Sequence, residues 1–143
     1  MRSALAALLT KRVRSTLAAL LLFAACDGSG SQEGGVLATF DVGGEVFHVI
    51  VRNPATIQQL FDLRDGLSAA NIPVGTLRTG PGEADHNLPW SWHLDPQEIE
   101  MAELAIEACD GTPSIVENDL AGYLALGSFC PWAATLVSLE ELS

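Results

Sequence analysis

The sequence predicts a small α+β domain: an antiparallel sheet carrying two helices and stapled by one disulfide. Three observations predict it. Short β-branched runs alternate at a period of two, helix caps bracket a run between them, and the cysteine count leaves one pair in the C-terminal part. At 143 residues the chain has room for one domain of ordinary size.

The elements follow in order. Val36–Val42 and Glu45–Arg52 flank Gly43-Gly44, a strong short hairpin signal. Phe47, Val49 and Val51 fall on one side, with Val46, His48 and Ile50 on the other. Both sides are largely apolar, which predicts a central strand covered on both faces; His48, mid-strand, reads as an internal hydrogen-bonded histidine. Asn53 is a good N-cap, Pro54 takes the first helical position, and Gly66 ends a helix whose stripe is Ile57, Leu60, Phe61 and Arg64. Val74–Thr79 reads as a short strand, and Thr79–Pro89 as a long loop without apolar periodicity. Trp90–Leu94 alternates as a strand, with Trp90, Trp92 and Leu94 on one face and Ser91 and His93 on the other. Residues 95–109 carry two signals. Asp95-Pro96-Gln97-Glu98 looks like a capped helix start, and local propensity to Ala108 favours helix, yet Leu104, Ile106 and Ala108 alternate with Glu103, Ala105 and Glu107. Ser114-x-x-Glu117 is a capping box that opens a second helix to about Leu126, with Ile115, Leu120 and Leu124 for burial. Trp132–Leu139 forms the last strand, entered through Cys130-Pro131.

Ahead of this domain, Arg2, Lys11, Arg12 and Arg14 precede the apolar run Leu17–Ala25, the pattern of a secretory signal and too short to span a bilayer. Phe23-Ala24-Ala25-Cys26 resembles the lipobox of bacterial lipoproteins, with Phe23 where leucine is usual. That resemblance implies a diacylglyceryl group on the Cys26 thiol and a new amino terminus there. The expected organisation is a signal over 1–25, a Gly/Ser-rich tether over 26–35 and a domain over 36–143. The expected location is the cell envelope, anchored on the extracytoplasmic side by lipid on Cys26, or secreted if Cys26 stays unmodified. With Cys26 lipidated, Cys109 and Cys130 remain as a pair in an oxidising compartment. Beyond Cys26 three arginines face eighteen acidic residues, a net charge of −15. Nucleic acid, which needs a basic footprint, is excluded as a partner.

Asn87–Pro96, Ile106–Ser114 with Val116-Glu117, and Cys130-Pro131-Trp132 resemble motifs of a family of small exported domains. That family is named for similarity to the amino-terminal domain of a calmodulin-binding protein. The likeness runs from about Val36 to Leu139. It implies a strand over 99–109, so that the order after the first hairpin arm becomes β-α-β-β-α-β, the ferredoxin-like split βαβ arrangement with an extra N-terminal strand. The family name does not imply calmodulin binding by this domain, and no activity comes with it.

The chain has no Gly-x-Ser-x-Gly elbow, phosphate loop, dinucleotide fingerprint or His-Glu-x-x-His motif. Its densest polar–aromatic cluster is Asp85, His86, Asn87, Trp90, Trp92, His93 and Asp95, on or beside the long loop. As a site, the cluster offers flat tryptophan faces and directional hydrogen bonds to a peptide or glycan. As structure, Trp90 and Trp92 fill the core while His93 ties down the loop, the more frequent outcome for alternating tryptophans. Asp110-Gly111-Thr112-Pro113 with Glu117 has sufficient turn and capping work to need no other role.

The expected function is therefore a lipid-anchored, non-catalytic module that binds an extracytoplasmic protein, peptide or glycan. The 80–92 loop, stiffened by Pro81 and Pro89, would act in the manner of a hydrolase inhibitor. Neither cofactor nor metal is expected. Two alternatives are a small metal-dependent hydrolase using His93 with Asp85 or Asp95, and a structural envelope component.

Overall fold

The computed structural model describes residues 34–143. The signal, Cys26 and all but the end of the tether lie outside the described residues.

Six strands and three α-helices build the domain. Their order is β1 (Gly35–Val42), β2 (Glu45–Val51), α1 (Pro54–Arg64), β3 (Ile72–Thr79), β4 (Trp92–Ala102), α2 (Pro113–Asn118), α3 (Leu120–Leu126), β5 (Ser128–Phe129) and β6 (Ala134–Leu142). The strands form two three-stranded sheets, ordered β2-β1-β6 and β4-β3-β5, with every pairing antiparallel. The domain is thus α+β, but not one four-stranded ferredoxin-like sheet. The strand read as an extra arm, β1, is the centre of the first sheet and separates β2 from β6.

The β1–β2 hairpin turns at Gly43 and Gly44, both at positive φ (65° and 92°), where residues without a Cβ are unstrained. β2 is an edge strand rather than the expected central one. Its faces are apolar for a different reason: Phe47, Val49 and Val51 enter the inter-sheet core, while the long loop covers part of the other side. Phe47, Trp92 and Phe129 meet at centroid distances of 5.3–5.8 Å and join the two sheets through one aromatic centre.

Helix α1 begins as read: Asn53 Oδ1 accepts from Ala55 N–H at 3.0 Å, and Pro54 follows. Leu60 is fully buried, and Arg64 lies over the Phe61 ring at 4.7 Å. Gln59 Oε1 accepts from Met101 N–H at 3.2 Å, while the Thr56 hydroxyl donates to Ile99 O. Both bonds dock the helix on β4.

Residues 95–102 are strand, not helix. Asp95 and Pro96 make a bulge: the ladder steps from Leu77↔Leu94 to Gly75↔Ile99, and Asp95 Oδ1 accepts from Gln97 N–H at 3.0 Å. Ile99 and Met101 then alternate into the core. Beyond Ala102 the chain is irregular, apart from a 3₁₀ turn at Glu107–Cys109. The second helix is also corrected. It divides at Asp119 (φ −128°, ψ 46°), whose carboxylate caps α3 by accepting from Gly122 N–H. The final strand starts at Ala134 and leaves Trp132 outside the sheet. Cys109 and Cys130 are joined in a disulfide with Cα atoms 5.1 Å apart. No helix among the described residues is long and apolar enough to cross a membrane.

Candidate functional site

The loop between β3 and β4, Gly80–Ser91, runs beside the outer edge of β2. An edge strand presents unpaired backbone groups, and here side chains satisfy them. Asn87 is completely buried and acts as the hub. Its Oδ1 accepts from His48 N–H at 2.8 Å, and its amide nitrogen donates to Trp92 O at 2.7 Å. Asn87 N–H donates to Pro81 O at 2.9 Å, and Asn87 O accepts from Trp90 N–H at 3.0 Å. Trp90 Nε1 donates to Val46 O at 2.8 Å, two residues further along the same edge.

Charge and imidazole ties complete the clamp. Arg52, at the end of β2, donates to both carboxylate oxygens of Glu83 at 2.8 and 2.7 Å. His93 Nδ1 lies 2.8 Å from Gly80 O, and His86 Nδ1 lies 3.0 Å from Glu83 O. The two rings meet edge to face at 5.9 Å. Gly82 (φ 85°) packs so tightly on them that a Cβ there would strike the His86 ring. Nε2 of His86 is buried without a hydrogen-bond partner among the described residues. Burial pushes this imidazole below its usual range, and the hydrogen bond to the Glu83 carbonyl opposes that only in part. At the far end, Glu117 of α2 accepts from Ser91 N–H and Ser91 Oγ at 2.9 and 2.7 Å.

The loop's tip, in contrast, is offered to solvent. Ala84 and Asp85 are consecutive non-glycine residues in the left-handed region (φ 52° and 56°), a conformation kept only where surrounding contacts impose it. Leu88, next to the buried hub, is 57 % exposed.

The predicted cluster therefore separates by role. Trp92 is core and Asn87 is a buried anchor; His93 and Trp90 hold the loop. Asp95 is turned to Arg78 at 3.1 Å, Asp85 is exposed at the strained turn, and His86 packs beneath it. His93 and Asp95 have separate protein partners, so the donors named for a metal-dependent hydrolase do not converge. Among the described residues no group of three His, Cys, Asp or Glu side chains is arranged to hold a metal ion.

Sequence reasoning missed Arg52, Glu83, Leu88 and Glu45. The capping box is a specific correction. Thr112, not Ser114, precedes α2, and Glu45 of β2 takes the N-terminal donors: it accepts from Ser114 N–H and Ser114 Oγ, both at 2.7 Å. Those bonds hold the Glu45 carboxyl below the ordinary range. Glu117 is thereby left to bind Ser91. No local pattern signals a cap delivered from 69 residues away.

Fold and site together define a disulfide-stapled two-sheet α+β domain that presents a rigid, solvent-facing loop. The chain belongs to the BP-74 N-terminal domain family, whose match spans residues 35–143. No curated protein and no solved structure matches the chain.

Proposed function

We propose that this protein is a lipid-anchored, extracytoplasmic and non-catalytic module that binds a protein or peptide partner through the Gly80–Ser91 loop. One observation carries the reading: the loop is pinned along its length by Asn87, Trp90, Glu83, His93 and Ser91, yet it holds a strained turn and an exposed Leu88 outward. A pre-ordered loop loses little conformational freedom on binding, so its exposed side chains convert contact into affinity efficiently. An aliphatic tip flanked by a rigid backbone also suits insertion into the cleft of an exported hydrolase, the inhibitor-like form of the same reading.

The test uses the full-length protein in envelope extract from its own source, compared with Leu88→Asp. A partner retained by the wild type and lost by Leu88→Asp, with unchanged thermal stability, is the expected result. Identical retained proteins for both would sink the loop as the recognition element.

A further inference from the structure

A second surface lies around the disulfide, and it has the anatomy of an interface. Leu104 is 88 % exposed, Ile106 64 % and Trp132 44 %. Leu104 and Trp132 line one hollow of about 200 Å³ together with Asn71, Ile72, Glu103 and Ala105. Single exposed aliphatics are ordinary, but a tryptophan and a leucine sharing a hollow, with an isoleucine beside them, leave apolar area uncovered in one place.

These side chains come from two segments with little regular structure of their own, Glu103–Cys109 and Cys130–Ala133, and the covalent link joins the segments. Cys130 N–H donates to Cys109 O at 2.8 Å, Trp132 N–H donates to Asp110 Oδ1 at 2.8 Å, and Ile106 O lies 3.3 Å from both sulfurs. The disulfide thus assembles the patch. Its rim is acidic: Glu103 lies in the hollow wall, and Glu107 is exposed beside Ile106. All three arginines of the described residues are engaged elsewhere, Arg52 with Glu83, Arg64 with Asp65 and Arg78 with Asp95 and Glu98.

We infer that Leu104, Ile106 and Trp132 form a docking surface for a second protein segment, one that brings an apolar or aromatic side chain ringed by Lys or Arg. Apolar anchors inside a polar rim concentrate binding energy, and Trp is among the residue types that dominate such sites. Charge selects the occupant. A second copy would set Glu103 and Glu107 against their own kind in a chain whose net charge beyond Cys26 is −15, and an anionic membrane meets the same repulsion.

The surface is distinct from the Gly80–Ser91 loop, and the test keeps the two apart. Full-length protein in detergent is panned against a random peptide display library in three forms: wild type, Leu88→Asp and Leu104→Ser/Trp132→Ser. The expected result is enrichment of peptides joining an aromatic or aliphatic residue to Lys or Arg on the first two forms. That enrichment is lost on the third and on wild type after reduction of the disulfide. Both substituted side chains are exposed, so retained thermal stability of the third form shows that the loss is local. Enriched peptides without cationic bias, or binding that survives in Leu104→Ser/Trp132→Ser, overturns the inference and leaves the loop reading standing. A dimer in sedimentation that Leu104→Ser disperses, or binding to neutral phosphatidylcholine vesicles in place of peptides, overturns it in favour of a second copy or a membrane.

Discussion

Asn87 spends both ends of its amide on backbone groups separated by 39 and 5 residues from it in sequence. A buried side chain placed this way is worth more than one hydrogen bond, because deleting it strands two partners. Asn87→Ala leaves the His48 N–H and the Trp92 carbonyl unpaired, at about 1–3 kcal/mol each. The expected loss is roughly 3 kcal/mol in denaturant unfolding, whereas the neighbouring Leu88→Asp leaves stability nearly unchanged. Equal midpoints for Asn87→Ala and wild type would show that the loop does not depend on this hub. The sequence makes Asn87 visible as a polar residue in a long loop. Its inward direction depends on β2, which no local pattern places beside it.

Elements here are finished by neighbours rather than by their own ends. The outer edge of β2 receives Asn87 and Trp90 from the loop, and Arg52 N–H, one residue past the strand, donates to Pro96 O in the β4 bulge at 2.9 Å. An edge covered in this way is closed to pairing with other chains. Helix α2 has only six residues and borrows its cap from Glu45. Glu45→Ala should lower stability by about 1 kcal/mol, as the loss of an N-cap does. The bonded carboxyl sits below its ordinary value, so this stabilisation is present above the unfolded pKa of about 4.3 and fades as pH falls through the folded one. Unfolding measured for wild type and Glu45→Ala should therefore differ at neutral pH and converge in acid. A difference that persists at the acid end would mean the contact is packing rather than capping.

Across the whole molecule the two ends of the first sheet have different surroundings. Gly35 pairs with Leu142 where the chain enters from the tether, and Val42 pairs with Ala134 at the other end, close in sequence to Trp132. An eight-residue strand separates these ends by about 25 Å. A lipid on Cys26 would hold the first end towards the membrane and leave the Trp132 end facing outward. Growth with a palmitate analogue checks the anchor: the full-length protein is expected to be labelled and membrane-bound, and Cys26→Ser unlabelled and released. An unlabelled wild type would reduce the protein to a secreted domain without changing its binding surfaces.

Much of this architecture is local and so was legible in the residues. The Gly43-Gly44 hairpin, the Asn53-Pro54 cap, the apolar face of α1 and the pairing of Cys109 with Cys130 each need only neighbouring chemistry or a count. The α+β class and the family follow from the same signals. Tertiary structure decided the rest. It chose strand over helix for residues 95–102, because Ile99 and Met101 are buried by alternation while Asp95 spends its capping ability on a bulge. It placed β1 rather than β2 at the centre of the sheet. It divided one polar–aromatic cluster into core, anchor and exposed tip, and it gathered Leu104 and Trp132 at a hollow that no spacing announces. The physical reason is common to all four. Each outcome depends on which backbone or apolar groups arrive from elsewhere in the chain, and long-range pairing alone brings them.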